Sequence, residues 1–87
     1  MTRYNITIKS SAARELESLP TKKLRRQIVE RIRALADDPR PADCEKLAGR
    51  TAHYRVRQGA HRIIYRIEDA VLIVEVIAVG HRRQVYR

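Results

Sequence analysis

Cysteine occurs once in the 87 residues, at Cys44, so no internal disulfide can staple the chain. That fits a reducing compartment, and cytoplasm is the expected location. Tryptophan and phenylalanine are absent and the aromatic complement is four tyrosines, so the core must be built mainly from aliphatic side chains. No stretch approaches the ~18 consecutive apolar residues of a membrane span, and no basic, apolar and small-residue succession marks a secretory signal. No membrane association is expected. HExxH, CxxC, a phosphate-cradling glycine loop and Gly-x-Ser-x-Gly are all missing. Residues 51–87 contain only Glu68, Asp69 and Glu75 as acids, too few to hold Mg²⁺ for two-metal hydrolysis. Neither a metal nor a cofactor is expected.

What the chain has in excess is positive charge. Nineteen lysines and arginines oppose ten acids, a net charge of +9. Such an excess repels itself in a compact state and is relieved by an anionic partner, nucleic acid or acidic protein. The basic residues of 51–87 are all arginines apart from histidines: Arg55, Arg57, Arg62, Arg66, Arg82, Arg83 and Arg87. Guanidinium forks match phosphate oxygens bidentately, whereas lysine acts as a point charge. A solubilising surface, or arginine supplied by codon usage, is the alternative origin of this bias.

Hydrophobic periodicity orders the chain as one domain over 1–87, burying roughly 60–65% of its unfolded surface. Tyr4 to Ile8 alternates as a strand. Ser10 or Ser11 is placed to cap a helix from Ala12 to Leu19, which Pro20 stops. A second helix starts near Thr21 and carries Leu24, Ile28, Ile32 and Leu35 as one apolar stripe flanked by basic residues, ending at Asp37-Asp38-Pro39. The two helices are joined tightly enough to be antiparallel neighbours. Residues 39–50 read as a connecting loop. Strands follow at Tyr54–Arg57, His61–Ile67 and Val71–Val79, with hairpin turns at Gln58-Gly59 and Glu68-Asp69-Ala70. The last strand is nearly all apolar, as a central strand buried on both sides would be. Gln84-Val85-Tyr86 fits a short extra C-terminal strand. The expected class is α+β: two N-terminal antiparallel helices on one face of a small antiparallel sheet, ordered β-α-α-β-β-β.

One helical stripe can cover only one face of that sheet. Alternation puts Arg55 and Arg57 on one side of their strand and Arg62, Ile64 and Arg66 on one side of the next. A two- or four-residue loop would gather Arg55, Arg57 and Arg62 on one face, and a three-residue loop would not. Like charges directly opposite cost on the order of 0.2–1 kcal/mol per pair, so the cluster points to phosphate binding; a solvated face of snorkelling arginines is the alternative. The tail, Gly80 to Arg87, adds His81, Arg82, Arg83 and Tyr86. A tyrosine beside arginines suits RNA, stacking a base while the cations hold flanking phosphates. Packing of Tyr86 at the core edge is its other reading.

The segment Tyr54-Arg-Val-Arg-Gln-Gly-Ala-His-Arg-Ile-Ile-Tyr65, with the tail Val79-Gly-His-Arg-Arg-Gln-Val-Tyr86, resembles the RelE branch of the RelE/ParE toxin superfamily. The likeness spans nearly the whole chain. It implies a ribosome-dependent, metal-independent endoribonuclease that cuts messenger RNA in the ribosomal A site, beside ribosomal RNA, and is held inactive by a cognate antitoxin. It further implies that Arg62 stabilises charge on the scissile phosphate, that Arg82 is the general acid, and that Tyr86 stacks on the nucleotide. Arg55 and Arg57 stand where the best-known members have lysines, with Arg83 as a further RNA contact. Arginine, with a pKa above ~12, is a poor general base. Either positioning and electrostatics carry the rate, or His81, adjoining Arg82, moves the proton. His53 and His61 read as structural. A gyrase-poisoning toxin of the ParE branch and a non-catalytic basic module are the competing functions.

Overall fold

The computed structural model describes residues 3–81. β1 (Asn5–Ile8) runs into α1 (Ser10–Glu17), followed by α2 (Lys22–Ala34). β2 (Glu45–Lys46), β3 (His53–Gln58), β4 (His61–Glu68) and β5 (Ile73–His81) come next. They form one five-stranded sheet in the order β1-β5-β4-β3-β2.

α2 begins as its sequence dictates: Thr21 is the N-cap, and its side-chain oxygen accepts from the Leu24 amide at 3.0 Å. Its stripe of Ile28 and Ile32, with Leu35 just beyond the helix, packs with Ala12 of α1 onto Val56, Ile63, Tyr65, Ile67, Val74, Val76 and Val79. These residues are the core, and each fully buried aliphatic contributes about 1.5–3 kcal/mol relative to an exposed one. α1 departs from expectation at its start. Lys9 occupies the cap position without a side-chain cap bond, and Ser10 and Ser11 lie inside the first turn. The Lys9 amide still donates to the Val76 carbonyl, so the chain leaves the sheet and enters the helix with no residue to spare.

Three further differences concern the sheet. β1 pairs with β5 in parallel, Ile6 beside Val74 and Ile8 beside Val76, whereas the β3-β4 and β4-β5 pairs are antiparallel as expected. Alternation identifies a strand but not the direction of its neighbour, which the passage through the helices sets here. The 39–50 segment contains β2, two residues paired antiparallel to β3. Between β4 and β5 the chain makes a 3-10 turn at Asp69–Val71, and Leu72 takes φ 55°, so β5 starts at Ile73 rather than Val71.

β5 is central, but only its helix-side residues Val74, Val76 and Val79 are fully buried; Ile73, Glu75, Ile77 and Ala78 are half-buried. Ile64 pairs with Ala78 and Tyr65 with Val76, which leaves Ile77 as a bulge. Past β1's last paired residue, the Val79 amide of β5 donates instead to a Glu15 carboxylate oxygen of α1, at 2.9 Å. The expected strand at residues 84–86 lies outside the described residues.

The segment from α2 to β2 is clamped to the sheet. Arg40 donates to both carboxylate oxygens of Asp69, at 2.8 and 3.2 Å, and through Nε to the Tyr54 hydroxyl at 3.2 Å. The Tyr4 hydroxyl donates to the same carboxylate at 2.6 Å. These bonds, Arg40's foremost, hold the Asp69 pKa down at about 2. The buried Tyr65 hydroxyl donates to the Pro39 carbonyl at 2.7 Å, and Arg31 pairs with Asp43. Those contacts deliver the chain to Glu45 at the sheet's outer edge.

Candidate functional site

The β3-β4 hairpin closes through two residues, Gly59 and Ala60, with Gln58 opposite His61. Gly59 has φ 61°, and a positive φ at the first position of a two-residue loop is the conformation glycine accepts without strain. The loop length settles the register. Arg57 lies directly opposite Arg62, and Arg55 opposite Ile64. All three arginines therefore project from the sheet face opposite the helices, since Val56, Ile63 and Tyr65 between them are core.

A carboxylate joins them. Glu45 of β2 is the register partner of Arg55, and its Oε1 lies 2.6 Å from Arg55 Nη2. The Glu45 pKa is lowered, chiefly by the hydrogen bond and charge of Arg55, with Arg57 and Arg62 adding to the effect. One carboxylate thus feels all three guanidiniums, which places them in a single field. Arg55 is nearly buried, its side chain 11% exposed, while Arg62 is half-buried and Arg57 exposed. Ile64 sits in the middle of this face with Arg62 and Arg66 on either side along β4, and is only 6% exposed although it lies outside the main core.

Arg66 shares the face but not the cluster. It pairs with Glu68 and, across the strands, with Glu75 at 3.1 Å, and these acids, Glu75 first, raise its pKa. His53 Nδ1 is 2.7 Å from the Thr51 carbonyl oxygen, a local turn contact.

The structure separates His81 from the arginines. His81 is the register partner of His61, and the two rings meet edge-on at 5.8 Å. They border a cleft with Glu15, Ser18 and Leu19 of the α1 side, on the helix face of the sheet. The bulge at Ile77 causes this: it shifts the alternation of β5 by one, so positions 79 and 81 follow 74 and 76 to the helix side. Arg82, Arg83 and Tyr86 lie outside the described residues. Sequence reasoning missed Glu45, which stands two residues after Asp43 and eight before β3, because a two-residue β2 carries no alternation to mark it. No group of three or more potential metal-ligating side chains occurs among the described residues.

The site is thus a cationic strip set around one buried isoleucine, fit to bind and polarise an anionic group by guanidinium hydrogen bonds. Comparison with known proteins gives that strip a context. A family model described as the ParE toxin of type II toxin-antitoxin systems, parDE, matches residues 6–86. The chain is 31% identical to Toxin RelG of Mycobacterium tuberculosis, over 97% of each chain. It superposes with TM-score 0.81 on a chain of the archaeal RelE-RelB complex from Pyrococcus horikoshii, at 29% identity, covering 98% of this chain and 100% of that one. A chain of the toxin-antitoxin complex RelBE2 from Mycobacterium tuberculosis matches with TM-score 0.80 and 28% identity, over 94% of both.

Proposed function

This chain belongs to the ParE toxin family of type II toxin-antitoxin systems, on its RelE branch, and from that premise we propose that it is a metal-independent, ribosome-dependent endoribonuclease that cleaves messenger RNA and halts translation. The observation that carries the reading is the convergence of Arg55, Arg57 and Arg62 on the helix-free face, with Arg57 and Arg62 directly opposed. Opposed like charges weaken a hairpin, and a phosphodiester between them turns that repulsion into binding.

In this proposal the RNA 2′-hydroxyl attacks the adjacent phosphorus in line and expels the 5′-oxygen. Arg62, with Arg57 beside it, holds the non-bridging oxygens and stabilises the charge that gathers on them. Arg57 and Arg62 remain protonated throughout and act by positioning and field, while the proton of the attacking 2′-hydroxyl passes to solvent water. The resemblance assigns proton donation to the leaving oxygen to Arg82 and base stacking to Tyr86, and Arg83 of the same basic tail is proposed as a further RNA contact. His81 faces the helix side, so the proposal gives the proton transfer to Arg82 rather than to His81. The proposed partners are a cognate antitoxin, which the solved relatives in RelB-bound complexes support, and messenger RNA in the A site with its surrounding ribosomal RNA. The proposed compartment is the cytoplasm; among the described residues no helix is long and apolar enough to cross a membrane.

A gyrase-poisoning activity is the second reading, favoured by the ParE description of the matching family. Primer extension on transcripts from cells expressing the toxin alone separates the two. Codon-phased cuts are expected, lost together with growth arrest in Arg62→Ala; intact transcripts with gyrase-linked DNA breaks would overturn the ribonuclease reading.

A further inference from the structure

Arg55 and Arg66 are both paired with acids on the helix-free face, but the two pairings differ in kind. Glu75, which holds Arg66, lies within central strand β5, between strands on both sides. Glu45, which holds Arg55, lies on a two-residue strand at the sheet's outer edge. The exposures are asymmetric as well: the Arg55 side chain is 11% exposed and that of Glu45 59%. The guanidinium is set into the sheet, whereas the carboxylate rests on it from the solvent side and can withdraw without breaking the core.

Resting on the ribonuclease reading, we propose that Glu45 is a resident counter-ion that occupies the phosphate position on Arg55 and must be displaced by the incoming RNA strand. Carboxylate and phosphate offer a guanidinium the same kind of two-oxygen edge. With no ligand bound, the contact sets a carboxylate against a nearly buried guanidinium, and it reduces the net charge facing Arg57 and Arg62. An isolated anion exchanges one ion pair for another at Arg55 and gains little. A polynucleotide also brings phosphates to Arg57 and Arg62, so Glu45 biases the site toward chains over single anions. The Arg55 guanidinium, with Arg57 and Arg62 behind it, favours the ionised form of Glu45.

Salt dependence exposes the exchange. When a phosphate takes Arg55 from Glu45, the polyanion releases a cation while the freed carboxylate draws cation back into its diffuse atmosphere, so this contact adds less than a full phosphate's share to the salt slope. Glu45→Gln removes that offset. Anisotropy titrations with a 2′-O-methyl oligoribonucleotide, which has no hydroxyl to attack, should then show a steeper slope of log K against log salt, by up to about 0.7. Affinity at fixed moderate salt should rise roughly two- to fivefold, the scale of one ion pair. Glu30→Gln, an equal charge change on exposed α2, should leave the slope unaltered. A wild-type slope and affinity in Glu45→Gln, or an equal response to Glu30→Gln, overturns the counter-ion. Thermal melts in sulfate separate this inference from the RNA reading. If neither protein binds the oligonucleotide, yet sulfate stabilises Glu45→Gln at lower concentration than wild type, the counter-ion stands and the ribonuclease reading falls. If sulfate treats the two alike, the counter-ion falls too.

Discussion

Replacing Arg57 by glutamine should make the protein more stable and less active at once. Arg57 faces Arg62 directly across an antiparallel pair, where side-chain origins lie about 4.5–5.5 Å apart and like charges cost on the order of 0.2–1 kcal/mol. Glu45 relieves part of this repulsion but bonds to Arg55 rather than to Arg57. Arg57 is exposed, so its removal opens no cavity and orphans no buried group. A gain of about 0.5 kcal/mol is therefore expected, which raises Tm by about 2–4 °C in a domain of this size. The gain should vanish near ~1 M salt, where the screening length falls to about 3 Å. Cleavage of a short messenger on purified ribosomes should drop on the order of 10²-fold, the usual loss when one preorganised donor to a developing oxyanion is removed. Denaturation melts at low and high salt, run beside that assay, check both signs. A Tm that falls at low salt, or cleavage that survives unchanged, refutes the claim that the arginine pair is maintained for an anion at the expense of the fold.

Two further outcomes concern the scaffold. Tyr65→Phe deletes a buried hydroxyl that donates to the Pro39 carbonyl at 2.7 Å, stranding an acceptor, and should cost about 1–3 kcal/mol in urea denaturation with an unchanged m-value; a cost below the scatter of the fit would mean that water reaches Pro39. Asp69, held at about 2 by Arg40 first and Tyr4 second, has a depressed folded pKa. Its contribution is complete above the unfolded value of 3.8 and drains away as pH falls through about 2. The stability difference between wild type and Asp69→Asn should accordingly be constant above pH about 4 and shrink across that window, and a gap indifferent to pH would contradict the Arg40 contact.

Much of this architecture is legible in the sequence because local period and burial agree. The stripe from Leu24 to Leu35 is a helix because its spacing keeps one face apolar, and in the structure Ile28, Ile32 and Leu35 are buried. The alternation of His61 to Ile67 sorts core from arginine in the same way. What escaped is set by events the period cannot register. β2 is two residues long, shorter than any alternation can reveal, so the acid facing the arginines went unremarked. The parallel course of β1 depends on contacts with β5, nearly seventy residues away in sequence. Adjacency to Arg82 suggests His81 lies with the arginines, but one unpaired residue, Ile77, turns it toward α1. From sequence the cluster is conditional on loop length, and the two-residue Gly59-Ala60 loop resolves that condition.

The aliphatic side chain of Ile64, 6% exposed on the same sheet face as the arginines, bears on how the strip meets water. A guanidinium with an oily neighbour can be hydrated from its open side but not from that flank. It therefore sheds less solvent when an anion arrives, and its field spreads through a medium that screens poorly. Exchanging that isoleucine for a small hydroxylic residue would irrigate the spot and dull the pull of every charge around it.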